Sequence, residues 1–201
     1  MYHKRFGFEH DLFRAFCADR PERQSKFVSF IGRMFVAGDN KQANELAKKE
    51  SLVRDRLRTF WEWAVENSNS AEMLKEFGYW VSLEKDLFGP QWLTQRVLDT
   101  LKKTDGVLEW DRGLTKTVGQ LAESAPEQTL EILRLYLLEG GVRGRNLRMP
   151  FLYRDYWSNA IKTLYGHTAM QAEVRKLISD LMREGGKPFW PLEEIVKEDA
   201  P

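Results

Sequence analysis

One cysteine, Cys17, stands among 201 residues. That scarcity excludes an intramolecular disulfide and a zinc cage built from thiolates. Histidine is almost as scarce. His3, His10 and His167 lie far apart, and neither H-x-x-x-H nor H-E-x-x-H occurs, so no metal site is expected. An excess of one charge is missing as well: 31 Lys and Arg face 30 Asp and Glu, for a net charge of +1. Such a balance excludes nucleic-acid binding by bulk charge alone. No apolar run approaches the ~18 residues of a membrane span. Met1 to His10 has no apolar stretch of the kind a signal peptide carries. From these absences we read a soluble cytoplasmic protein with no membrane partner. The phosphate-binding G-x-x-x-x-G-K-[ST] loop and the G-x-S-x-G elbow are also absent, and no cofactor is expected.

What is present is helix periodicity. Apolar residues recur every three or four positions, and strict alternation is hard to find. Leu12, Phe13 and Phe16 mark a first unit over Glu9–Ala18. Pro21 opens a second, with Phe27, Phe30, Ile31, Met34 and Phe35 as its stripe and Gly38 as its stop. Asp39-Asn40 supply a turn or a cap, and Lys41 to Glu66 reads as one long helix. Ser70 caps the next, which carries Met73, Leu74, Phe77, Trp80 and Val81, with Gly78 as a slight weakness.

Gly89-Pro90 breaks and restarts the chain before Trp92, Leu93, Val97, Leu98 and Leu101. Thr104-Asp105-Gly106 closes that helix. Leu114, Val118, Leu121 and Ala122 mark another, and Pro126 opens one so apolar that it belongs in the middle of the fold. Gly140 to Arg148 reads as the longest irregular stretch. Pro150 restarts a helix with Trp157, Ile161 and Leu164, and Gly166 stops it. Thr168 caps a last long helix ended by Gly185-Gly186, and a short piece, Leu192 to Val196, closes the fold.

The expectation is one all-α domain over residues 1–201, with about nine antiparallel helices joined by short connections. Helix pairs of about 40 residues favour a HEAT-like α-α superhelical stack. A closed irregular helical bundle is the alternative.

Phe27–Asp39 (FVSFIGRMFVAGD), Arg58–Asn67 (RTFWEWAVEN), Glu76–Lys102, the Glu123–Glu139 helix and the closing Leu181–Val196 piece carry a resemblance. Together they resemble the C-terminal helical-repeat region of large bacterial multidomain proteins, some with an N-terminal NTPase and an association with antiphage defence. The resemblance implies a C-terminal fragment or a stand-alone relative. It implies a partner in the rest of a longer polypeptide or in a trigger molecule, and it carries over no active-site residue.

Candidate chemistry is sparse. Cys17 sits beside Phe16 on an apolar side and reads as core. Glu62 is one turn from Arg58 and reads as an ordinary ion pair. The segment Arg143–Arg154 is the candidate binding patch: Arg143, Arg145, Arg148 and Arg154 interleave with Tyr153 and Tyr156 and meet no acid before Asp155. Arginines among aromatics suit a nucleic-acid backbone with stacked bases or a protein interface. They equally suit aromatics packed in a core with arginines at helix ends.

A second aromatic group, Phe60, Trp61, Trp63, Phe77, Tyr79, Trp80, Phe88 and Trp92, reads mainly as the cement of helix pairs. Trp61 and Trp63 are the candidate partner-facing pair. Two apart on a helix, they cannot share a face, so one should be at least partly exposed. The leading functional expectation is a non-catalytic protein-interaction or sensing module, with nucleic-acid binding through the Arg143–Arg154 patch as the alternative. The least favoured is a DNA base-excision enzyme, for which Trp110-Asp111-Arg112 and Arg148 offer the residue types.

Overall fold

The computed structural model describes Phe13, Cys17, residues 20–82, 87–145 and 153–185, Leu192 and Glu194. The fold is all-α, with no strand among the described residues. The expected first helix lies outside them except for Phe13 and Cys17, both helical and buried. The aromatic segment Pro188–Pro191 and most of the closing piece also lie outside.

Helix α1 spans Pro21–Ile31, with proline at its first position as expected, and continues as a π-helical turn over Gly32–Ala37. Gly38, at φ 89°, ends it in the left-handed conformation that glycine adopts without penalty. The buried face is Val28, Gly32 and Val36, whereas Phe30 is 57% exposed. The expected stripe is therefore turned slightly on the helix, and Phe30 leaves the core. Gly32 sets this face: a Cβ there would lie 2.6 Å from Cδ1 of Trp80, whose Nε1 donates to the Val28 carbonyl at 3.0 Å.

Lys41–Glu66 is two helices, not one. Helix α2 (Lys41–Lys49) is capped by Asn40, whose side chain accepts from the Ala43 amide. Helix α3 (Ser51–Asn67) follows after Glu50, which is extended at φ −97° and ψ 108°. No proline or glycine marks that break. Arg54 reaches back from α3 to donate to the Lys48 carbonyl, satisfying an end of α2 that the break exposes.

Ser70 caps α4 (Ala71–Lys75), accepting from the Met73 amide at 3.2 Å, and α4 runs on as a 3₁₀ turn over Glu76–Trp80. Then come α5 (Pro90–Lys103), α6 (Arg112–Ser124) and α7 (Pro126–Leu133). Helix α7 continues in π geometry over Arg134–Arg143, so the expected irregular stretch begins later than Gly140. Last are α8 (Arg154–Tyr165) and α9 (Gln171–Arg183). Thr168 opens a 3₁₀ turn before α9 and caps nothing with its side chain.

Helix α1 packs on α4, and from α3 onward the packing has a next-but-one order. Helix α3 packs on α5, α5 on α7, and the π extension of α7 on α9. The 3₁₀ turn after α4 packs on α6, and α6 packs most extensively on α8. Helix α7 touches α5, α6 and α8, as its nearly all-round apolar sequence requires. One cluster of buried side chains runs from Phe13 to Leu192. Its N-terminal part is aromatic: Trp61 stacks on Phe77 with centroids 5.0 Å apart, beside Phe60, Trp80 and Phe88.

Candidate functional site

The loop between α5 and α6 creates the site. Asp105 and Gly106 turn the chain at positive φ, as the sequence breakers predict. The loop then runs across the 3₁₀ turn, where the Glu109 amide donates to the Lys75 carbonyl at 2.9 Å. Gly78 is what permits that approach. A Cβ at Gly78 would lie 1.7 Å from the Glu109 carbonyl oxygen, and one at Gly113 would lie 1.9 Å from that of Val81. Two side-chain-free positions thus let three backbone segments meet.

On this crossing stands Trp110. Its backbone is at φ 49°, its side chain is 51% exposed, and its ring lies parallel to Tyr79 at 7° and 5.6 Å. A bulky residue in the left-handed region is an outlier that costs about 1–2 kcal/mol. The aromatic pair faces a groove of about 610 Å³ between the π turn of α1, the 3₁₀ turn and the start of α6. Arg33, Arg112 and Lys116 bring three cations to it. Asp39 is the one carboxylate among the described lining residues, and Arg33 holds it at 2.7 Å. That bond also holds the Arg33 guanidinium more firmly in its charged form. Arg112 is exposed and has no carboxylate partner among the described residues. Burial, and then the nearby Glu76 carboxylate, push the Tyr79 hydroxyl above its ordinary range.

Behind the groove sit two perturbed carboxyls. Glu76 is pushed up to about 7, first by burial and then by Glu109 and Glu72. Asp111 follows Trp110 but points inward. It is buried, accepts the hydroxyl of Tyr136, and leaves its Oδ1 without a partner. Burial raises it, and the Tyr136 bond opposes that rise. Of the three residues Trp110-Asp111-Arg112, the outer two therefore line the groove while the carboxylate belongs to the core. No family model, curated protein or solved structure matches this chain.

The candidate patch is distributed differently. Arg143 is held by Glu139 at 2.6 Å and Glu184 at 3.1 Å. Arg145 is exposed at φ 57°, and Arg154 lies 3.7 Å from Asp155. Arg148 lies outside the described residues. Tyr153 packs against the core, and Tyr156 meets it edge-on while 48% exposed.

Trp61 is a correction. It is fully buried and donates its Nε1 to Thr100 Oγ1 at 3.0 Å, so it faces no partner. Trp63 is only partly buried, as the two-residue spacing requires of one of the pair. Glu62 accepts from Trp92 Nε1 at 2.8 Å, and Arg58 lies over the Trp92 ring. The expected Arg58–Glu62 pair is therefore mediated by an aromatic side chain. Cys17 is core, as expected.

The sequence reading missed Tyr79 as a site residue and singled out Trp110 only for the base-excision reading. One signal was available. Trp110 sits in a polar loop with charged residues on both sides, where no helical stripe accounts for it. Among the described residues no group of three or more His, Cys, Asp or Glu side chains could hold a metal ion, and no helix is long and apolar enough to cross a membrane.

Proposed function

We propose that the chain is a non-catalytic recognition module that senses or holds a partner in the groove over Tyr79 and Trp110. The observation that carries this is Trp110, kept at an unfavourable φ so that its ring lies half exposed on Tyr79 beside three cations. Backbone strain of this kind persists where surrounding structure enforces it, and it clusters at functional positions. From α3 onward, counting the turns that extend α4 and α7, helices pack on the next but one, and this order supports a HEAT-like stack over a closed bundle. Such a stack offers a surface between helix pairs without needing catalytic groups. The groove lining supports the non-catalytic part: it has no histidine or cysteine among the described residues, and its carboxylate is committed to Arg33.

The Arg143–Arg154 patch is the weaker site for the same role, because Arg143 is already held by two carboxylates. The test is affinity capture from cells that make the protein, with intact chain against a Trp110→Asn/Arg112→Glu double variant. The expected result is a discrete partner, protein or nucleic acid, retained by the intact chain and lost by the variant. Equal recovery by both would overturn the assignment of the groove.

A further inference from the structure

Resting on that assignment, we infer that the groove binds an unpaired nucleotide, its base laid on the Trp110 ring and its phosphate held by Arg112 and Lys116. Three features carry this. The first is the aromatic platform. Tyr79 covers one face of Trp110 at 5.6 Å and nearly parallel. Trp110 itself is half exposed in the groove. An indole backed in this way offers a flat surface to a planar ring, and every nucleobase has a π face suited to it.

The second is charge. Arg112 and Lys116 are four residues apart on α6 and therefore share a face, and both line the groove. Arg112 is exposed in that lining, and its planar guanidinium suits a bidentate phosphate. Arg33 also lines the groove, paired with Asp39.

The third is shape. The groove is about 610 Å³, within the range of small-molecule sites. It lies between helix ends whose backbones meet through Gly78 and Gly113. A base in a duplex has both faces covered by its neighbours, so an unpaired one is required.

The shared chemistry, a base adjoining a phosphate, has two sources: a free nucleotide or a single strand. Fluorescence anisotropy of labelled single-stranded DNA and RNA 12-mers, from low to physiological salt, reads the second. Quenching of tryptophan emission by adenosine and uridine monophosphate reads the first. A hairpin duplex and an acidic Glu- and Tyr-containing peptide complete the set. The expected result is binding of single strands, or of the mononucleotides, in preference to the duplex. Trp110→Asn and Arg112→Glu should each weaken it about ten-fold or more, and Arg183→Ala, on α9 and outside the groove lining, should leave it unchanged. Affinity should fall with salt at a shallow slope, because few phosphates are contacted.

Asparagine is chosen at Trp110 because it tolerates positive φ, and the circular dichroism melt of each variant guards against misfolding. Single-strand and nucleotide binding that is absent, or that survives Trp110→Asn, would overturn the inference. Peptide binding lost in the same two variants, without nucleotide binding, would overturn it while leaving the recognition-module reading intact. No binding of any probe together with equal capture of partners by intact and variant chains would remove both.

Discussion

Single glycines carry opposite instructions in this chain, and they make the sharpest residue-scale test. Gly78 has a backbone carbonyl where a Cβ would go, and a carbonyl cannot move aside as a flexible side chain does. Gly78→Ala should cost about 3 kcal/mol, or ~6–12 °C in Tm for a chain of this size. Gly119 lies inside α6 with nothing within 4 Å of its Cβ position. Gly119→Ala should gain up to about 1 kcal/mol, from better helix propensity and a less flexible unfolded chain. Thermal melts of the two variants beside the parent check both signs, and equal effects would remove the assigned loop crossing.

Glu76 gives a pH dependence at the same scale. Its folded pKa, about 7, lies above the ordinary 4.5, so the folded state binds the proton more tightly than the unfolded one. Stability from this group is fully present below pH 4.5, falls as pH rises towards 7, and stays at its lower value above that. Glu76→Gln should therefore raise Tm at pH 8 and change it little at pH 4.5. Its side chain is part-exposed, so solvent screening reduces the gain to about 1 kcal/mol, or ~2–4 °C. A larger gain at pH 4.5 than at pH 8 would reverse the sign and refute the burial argument. The inward Asp111 differs in kind. Asp111→Asn keeps an acceptor for Tyr136 and removes a buried charge, so folding should tolerate it far better than Asp111→Ala.

At the scale of elements, the helices were legible in the sequence wherever a local signal sets the end. Pro21, Pro90 and Pro126 each begin a helix, and Gly38, Gly106 and Gly185 each leave one at positive φ. Illegible were the features fixed by distant contacts. The break at Glu50 has no breaker residue. It rests on Arg54 meeting the Lys48 carbonyl, and on Asn44, whose buried side chain donates to the Phe35 carbonyl at 2.6 Å. The π turn of α1 was hidden for the same reason, since its geometry depends on what packs beside Gly32. Tyr79 lies off the apolar stripe of its own segment, and only the path of the 105–111 loop, which lays Trp110 on its ring, makes it part of a groove. The element-scale prediction follows from Asn44. Asn44→Ala leaves the Phe35 carbonyl without its donor where α1 meets α2, and should cost about 1–3 kcal/mol in a denaturant titration. No loss would mean that water or a shift of α2 replaces the bond.

At the scale of the whole molecule, the next-but-one contacts predict how the fold opens. In a stack each helix is held mainly by its neighbours in the same layer, so the ends lack support on one side. Helix α5 has α3, α4, α6 and α7 against it, and α7 has α5, α6 and α8, with α9 on its extension. Both carry fully buried side chains along the contact face, Leu93, Val97 and Leu101 in α5 and Ile132 and Leu133 in α7. Helix α9 touches α8, the extension of α7 and the short turn before it. Opening α9 exposes one face, whereas opening α7 parts it from α5, α6 and α8. Amide hydrogen exchange on the intact chain should therefore be slowest in α5 and α7, at the global unfolding free energy. It should be faster in α9, through partial opening that leaves the centre closed. A closed bundle opens as one unit, with its helices sharing a single protection limit. Protection equal in α5, α7 and α9 would therefore favour the bundle over the stack. The groove lies on the 3₁₀ turn and the start of α6, next to the slow centre. A ligand held there should slow exchange at the α6 N-terminus and the 105–111 loop while leaving α9 unchanged.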